Sequence, residues 1–296
     1  MRLFYCDHYE IPLPDGHKFP IEKYRLLRER IAADGFWKLE PAEAAPVETI
    51  KLAHDPVYVD QFVNGTLAAN AMRRIGFPWS EGLVARTLAS AGGTLAATRD
   101  AIATGFGGTL AGGTHHAFRA EGSGFCVFND VVISIHAHRF KRAAVVDLDV
   151  HQGDGTAHFF EDDPNVLTIS MHGANNFPFR KQRSKIDVEL ADKTRDEEYL
   201  RVLDSVLPRV MEFEPEMVFY LSGVDALASD VLGRLALTPE GLEARDRRVI
   251  GDCHRHGLPL VITLGGGYSK QIELTAEAHA TTFRVAAEIY ESRGSR

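Results

Sequence analysis

Eleven consecutive residues, Val145 to Gly155, read Val-Val-Asp-Leu-Asp-Val-His-Gln-Gly-Asp-Gly, and they constrain the chain more than any other stretch. The run Ala143 to Val150 has the apolar content of a buried strand, whose period of two sets Asp147, Asp149 and His151 on one face and Val146, Leu148 and Val150 on the other. Two carboxylates and an imidazole then share one small volume. An ionised carboxylate out of water costs roughly several kcal/mol unless a cation or donor compensates it. One aspartate there would read as a solvated strand end; two alternating acids and a histidine among Val and Leu require something positive. Oxygen and imidazole donors without a thiolate suit a divalent ion such as zinc, and the same donors accept Fe(II). The turn Gly153-Asp154-Gly155 ends the strand where open α/β sheets place their sites.

The 296 residues, 45% hydrophobic and 25% charged, are those of an ordinary globular protein with a large core. No repeat, low-complexity tract or linker interrupts them, so one domain is expected over residues 1–296. A net charge of -8 and a pI near 5.9 exclude a general nucleic-acid binder and suit cationic partners. Cys6, Cys126 and Cys253 have no CxxC spacing, which excludes a disulfide framework and a thiolate metal site. The N-terminus lacks the apolar core of a signal peptide, and no stretch approaches the roughly 18 apolar residues of a membrane span. A cytoplasmic protein without membrane contact is the expectation.

In chain order, Leu3 to Cys6 reads as a first strand, and Ile21, Tyr24, Leu27 and Ile31 mark a helix between Pro20 and Gly35. Thr49 to Phe62 gives two short elements broken at Asp55-Pro56. A long helix runs from Ser80 toward Thr104, and its Gly92-Gly93 pair, costing about 1 kcal/mol per glycine, implies another element packed close there. A glycine-rich turn over Gly105 to Gly113 delivers Thr114-His115-His116. Val131 to Ala137 reads as a helix, Val166 to Met171 as a buried strand ending at His172, and Arg180 to Glu198 as a charged surface excursion. A helix follows Asp196-Glu197-Glu198, acids at its positive end. Met217 to Leu221 and Leu258 to Leu264 are strands leading into Ser222-Gly-Val-Asp225 and Gly265-Gly-Gly-Tyr268. Strands alternating with helices predict an α/β fold, a mostly parallel sheet with helices on both faces.

Four apolar elements thus end in polar groups: His115-His116, Asp147/Asp149/His151/Asp154, Asp225 and Tyr268. Singly, these are a loop surface, a strand end, a helix cap and a core aromatic. Their joint placement at strand ends points to one site.

On these residues the chain resembles the histone deacetylase family of the arginase/deacetylase fold. The matching stretches are Gly113-Thr-His-His116, Gly124-Phe-Cys-Val-Phe-Asn-Asp130, Asp147-Leu-Asp-Val-His-Gln-Gly-Asp-Gly155, Ser222-Gly-Val-Asp225 and Gly265-Gly-Gly-Tyr268, in the family's order. The opening from Asp7 to His17 is most similar to the class IV-like prokaryotic branch. The resemblance implies that Asp149, His151 and Asp225 hold a catalytic zinc, with positions left for water and a substrate carbonyl. It pairs His115 with Asp147 and His116 with Asp154, each carboxylate favouring a protonated imidazole. His116 would accept the water proton and later protonate the leaving amine, His115 would act as an electrostatic partner, and Tyr268 would share the oxyanion. Asp147 and Ser170 would supply oxygens to a structural potassium ion. Gly124, Phe125, Phe177, Gly266 and Gly267 would line a narrow tunnel.

The implied activity is zinc-dependent deacylation of ε-N-acyl-lysine, acetyl or longer, in proteins or peptides. Two further readings are a deacetylase of acetylpolyamines or other small acylated amines, and a non-catalytic acyl-lysine binding module; an oligomer is compatible with all three. The sequence also departs from the family. Arg74 to Glu81 lacks the acidic rim residue that anchors a peptide backbone in many relatives, Gln152 stands where eukaryotic members have a second histidine, and His172 to Arg183 is rich in Asn, Arg and Lys.

Overall fold

The computed structural model describes residues 1–291. The elements run β1 (Arg2–Tyr5), α1 (Glu22–Asp34), β2 (Lys38–Pro41), α2 (Val47–Ile50), α3 (Pro56–Val63), α4 (Ala69–Ile75), α5 (Glu81–Thr104) and β3 (Phe106–Thr109). They continue with α6 (Asp130–His138), β4 (Ala143–Asp147), α7 (Asp154–Phe160), β5 (Val166–Gly173), β6 (Ile186–Leu190), α8 (Asp196–Val206), α9 (Pro208–Phe213), β7 (Met217–Leu221), α10 (Pro239–His256), β8 (Leu260–Thr263) and α11 (Ile272–Glu291). The eight strands form one sheet in the order β2-β1-β3-β8-β7-β4-β5-β6, and every pairing is parallel.

Local chemistry explains the elements the sequence predicts. Asp55 caps α3, accepting from the Val57 and Tyr58 N–H groups, and Ser80 caps α5 by accepting from Leu83 N–H. Gly35 and Gly105 end α1 and α5 in the left-handed conformation. The Gly92-Gly93 pair lies where another segment crosses α5: a Cβ on Gly92 would sit 1.8 Å from the Glu43 carbonyl oxygen.

Three expectations are corrected, and one strand is added. The Gly105–Gly113 stretch is a buried strand, β3, flanked by short connections rather than a turn throughout; Gly107 occurs in it because α5 presses so close that a Cβ would lie 1.8 Å from the Ala97 carbonyl oxygen. The strand expected over Ala143–Val150 ends at Asp147, and Leu148 and Val150, although fully buried, lie beyond it in loop. The charged Arg180–Glu198 stretch contains an edge strand, β6, whose alternating exposure keeps its charges in water. Finally, β2, a largely exposed edge strand of Lys-Leu-Glu-Pro, carries too weak an alternation to read.

Alternate residues of the central strands feed two cores. Val146, Val218, Tyr220 and Ile262 face the layer of α8, α10 and α11, while Val145, Phe219 and Val261 face α5 and α6. No helix among the described residues is long and apolar enough to cross a membrane.

Candidate metal centre and active site

The polar segments lie beyond the C-terminal ends of four strands that are consecutive neighbours in the sheet, β3, β8, β7 and β4. Because all strands run the same way, residues as distant in sequence as His115 and Tyr268 are delivered to one end of the sheet, where open α/β folds build their sites.

Asp149, His151 and Asp225 converge there, each offering a ligand atom within 4.8 Å of the others. His151 Nδ1 lies 3.0 Å from both Asp149 Oδ1 and Asp225 Oδ2. The remaining carboxylate oxygens are occupied: Asp149 Oδ2 accepts from Gly266 N–H at 2.5 Å and Asp225 Oδ1 from Val150 N–H at 2.9 Å. Second partners of this kind fix a ligand's orientation. Burial, then the charge of Asp149, pushes the Asp225 carboxyl up to about 7. Burial opposes a charge on His151, but its hydrogen bonds to Asp149 and Asp225, with their negative charge, outweigh it and raise the imidazole to about 10. Three inward-facing donors that together hold a proton are a donor set that fits a divalent cation.

The two dyads flank this group. His115 Nδ1 is 2.7 Å from Asp147 Oδ2, and His116 Nδ1 is 2.6 Å from Asp154 Oδ1. Their charge states differ. Burial disfavours the cation at His115, yet the charge and hydrogen bond of Asp147 prevail and lift it to about 9. At His116 burial and the adjacent His115 outweigh Asp154 and lower it to about 4. Asp154 thus favours the protonated imidazole of His116, as Asp147 does that of His115, but at His116 burial beside a charged neighbour prevails and the ring is neutral. Asp130 sets the path of this loop, accepting from Gly113 and Thr114 N–H and from the Thr114 hydroxyl.

A cavity of about 510 Å³ contains these residues and is walled by Phe125, Phe177, Gly124, Gly266 and Tyr268. Gly124 is wedged between His116 and Phe177, where a Cβ would come within 2.7 Å of the His116 ring. Gly267, expected in this wall, is instead buried beneath it, packed so tightly on Thr275 and Val224 that a Cβ would approach within 2.6 and 2.7 Å. Tyr268 is half-buried in the wall. Burial, reinforced by Asp149 and Asp225, raises its phenol well above the usual range, so the O–H stays a donor. Ser170 is aligned with Asp147 in the β4–β5 register, its Oγ 2.9 Å from His172 Nδ1.

A sequence profile of the histone deacetylase domain matches residues 17–284. The chain belongs to the histone deacetylase family. It is 42% identical to an uncharacterized protein of Picosynechococcus sp. over 97% of this chain and 98% of that one. Identity to Histone deacetylase 2 of Arabidopsis thaliana is 31%, over 91% of this chain and 75% of the other. The crystal structure of the HDA15 HD domain has the same fold, with a TM-score of 0.79 over 96% of this chain and 88% of that one, at 22% identity. Family membership makes the protein a deacetylase-type hydrolase.

Three residues around the deacetylase site were not legible in sequence. Lys23, on α1, is buried with its Nζ 3.2 Å from the Gly265 carbonyl oxygen and over the Tyr24 and Tyr268 rings at 5.2 and 5.3 Å. Burial lowers its amine to about 8, against the pull of Asp225 and Asp149. Arg245, on α10, is wholly buried and donates to the carbonyls of Leu148 and Gly223, each adjacent to a segment bearing a ligand. Asp230 bonds to the Tyr268 backbone. A lysine or arginine on an amphipathic helix reads as solvent-facing; only the lack of a compensating acid at helical spacing distinguishes Lys23.

Proposed function

We propose that this protein hydrolyses the amide of ε-N-acyl-lysine in proteins or peptides, using zinc or Fe(II) held by Asp149, His151 and Asp225. The observation that carries the reading is the convergence of that ligand group with two carboxylate-backed histidines of opposite charge state and a protonated tyrosine on one cavity. When bound, the metal supplies Lewis acidity, polarising the amide carbonyl and making water more acidic.

The chain's own residues do the rest. Phe125 and Phe177 present apolar walls to the methylene stem of an acyl-lysine, and the His116 ring lies edge-on to Phe177 at 4.9 Å between centroids. Neutral His116, its Nδ1–H given to Asp154, leaves Nε2 free to take a proton from water and pass it to the departing lysine amine, worth about 10²- to 10⁴-fold. His115, kept cationic by Asp147, counters the growing negative charge at the carbonyl. Tyr268 donates its O–H to the same oxygen, and loss of one such donor typically costs about 10²- to 10³-fold. Asp147 and Ser170, adjacent in register, are the side-chain oxygens that would serve a structural potassium ion.

Turnover of lysine peptides bearing acetyl, butyryl and myristoyl groups, beside acetylputrescine, tests the proposal, with Tyr268→Phe as control. Release from a lysine peptide that collapses in the variant is the expected result. Release from acetylputrescine alone moves the substrate to small amines. Binding without turnover of any member by metal-loaded protein overturns the enzyme reading.

A further inference from the structure

We propose that Asp230 is a positioning residue for Tyr268, fixing the phenol relative to the metal ligands through its backbone; this rests on the role given to Tyr268 above. The segment leading to Tyr268, Gly265-Gly266-Gly267, has no side chains with which to hold its own path. Its course is set from outside. Gly266 N–H donates to Asp149 Oδ2, and Val224 N–H donates to the Gly266 carbonyl at 3.0 Å. Tyr268 N–H donates to Asp230 Oδ2 at 2.5 Å.

Asp230 lies five residues beyond the ligand Asp225, and its other oxygen, Oδ1, accepts from Leu232 and Gly233 N–H, each at 2.8 Å. One carboxylate therefore ties the loop after β7 to the loop after β8. Alongside it the backbones of Asp230 and Ser269 form an antiparallel bridge, and Ser229 Oγ lies 2.9 Å from Ser269 Oγ. Asp230 makes no salt bridge with the described residues, so these three N–H groups are its direct hydrogen-bond partners, with His151 and Lys23 acting on it only at longer range. That is a costly choice beside buried Asp149 and Asp225, and it has a chemical reason: only a carboxylate accepts at both ends. Asparagine would turn an NH₂ toward one set of N–H donors.

The consequence is geometric. A displacement of about 1 Å at a catalytic group can cost on the order of 10²-fold in rate. Asp230→Ser separates the two functions of the side chain, because a serine hydroxyl can still accept from the local turn but does not reach Tyr268.

The test is a double-mutant cycle on the fastest substrate of the panel above, with Asp230→Ser, Tyr268→Phe and the double variant, each checked for bound zinc and thermal midpoint. Asp230→Ser is expected to lower kcat about 10- to 100-fold with KM within about twofold, and to add less than about threefold to the loss in Tyr268→Phe. Additive losses, or an effect confined to KM, overturn the inference and leave the site reading intact. Full activity of Tyr268→Phe overturns the site reading and this inference with it. If Asp230→Ser does not fold, Asp230→Asn, which keeps the side-chain volume, enters the same cycle and is judged by the same outcomes.

Discussion

His54 predicts an acid limit to stability that can be worked from its surroundings. Its side chain is wholly buried, with Nδ1 3.0 Å from the Phe118 carbonyl and 3.3 Å from that of Arg119, and Asn129 N–H donates to Nε2 at 2.9 Å. A carbonyl can only accept and a backbone N–H can only donate, so the ring is the neutral Nδ1–H tautomer. Protonation would put a second N–H against that of Asn129. Burial lowers the imidazole to about 4, the two carbonyls opposing it only in part. An unfolded histidine titrates near 6.5. The folded pKa is the lower one, so below pH 6.5 the unfolded chain binds a proton the folded chain refuses, and stability falls as pH drops from about 6.5 to about 4. A separation of about 2.5 pH units corresponds to about 3 kcal/mol in full and about 2 kcal/mol by pH 5, against a typical total of about 5–15 kcal/mol. Urea unfolding at pH 7.5, 6 and 5 should show the wild type losing about 2 kcal/mol more than His54→Gln over that range. Comparing slopes cancels proton uptake at the metal site, which both proteins share. Parallel slopes would refute the argument. The bond at risk also matters to function, since Asn129 caps α6 and its amide donates to Thr156 on α7, next to the His116–Asp154 dyad.

Further outcomes are expected at the site itself. Gly124→Ala should lower kcat/KM on acyl-lysine peptides by at least about tenfold with little change in metal content, because its Cβ would press on His116 and Phe177 from a backbone at φ 53°. Arg245→Met should weaken zinc binding about 10- to 100-fold, measured by competition with a chelator, and lower stability by about 3 kcal/mol or more, because Asp246 is left buried without its charge partner. Zinc affinity should rise with pH, about tenfold per unit from pH 7 to 9 and more steeply below 7, as His151 and then Asp225 must release protons held near 10 and 7; a flat profile in a competition titration would rule out this ligand set.

The convergence of the candidate ligand group and the two dyads is legible in the sequence because they sit in short, chemically loaded runs beside apolar strands. Ala143–Asp147 and Met217–Leu221 are continuous apolar strands, and each leads directly into polar residues. β3 was not legible for the converse reason: Phe-Gly-Gly-Thr has the composition of a turn, and its glycines answer to α5 packing on the strand, a tertiary demand that no local pattern records. Gly267 was misplaced because three successive glycines look alike in sequence, while the structure sends Gly266 to the cavity and Gly267 to the core. Lys23 is not legible because the acids that act on it, Asp225 and Asp149, come from other elements, and Arg245 is not because its pairing with the adjacent Asp246 reads as an ordinary charged stretch of helix until its burial is seen.

Those cations explain how so acidic a site folds. Asp147, Asp149, Asp154 and Asp225 are all buried at one end of the sheet. Charged carboxylates there repel one another and lose water, so each needs a donor or cation. Asp147 has charged His115, Asp154 has neutral His116 as a hydrogen-bond donor, and Lys23 lies near enough to feel Asp225 and Asp149. Arg245, neutralised by Asp246, stiffens the loop carbonyls rather than cancelling the ligands' charge. Asp149 and Asp225 are left with a shared proton on His151 as their nearest compensation. A divalent cation bound there would displace that proton and supply a second positive charge, so binding would relieve the repulsion between Asp149 and Asp225. Binding energy of that kind would be folding energy, and a metal held by this group would then contribute to the stability of this sheet end as well as to its chemistry.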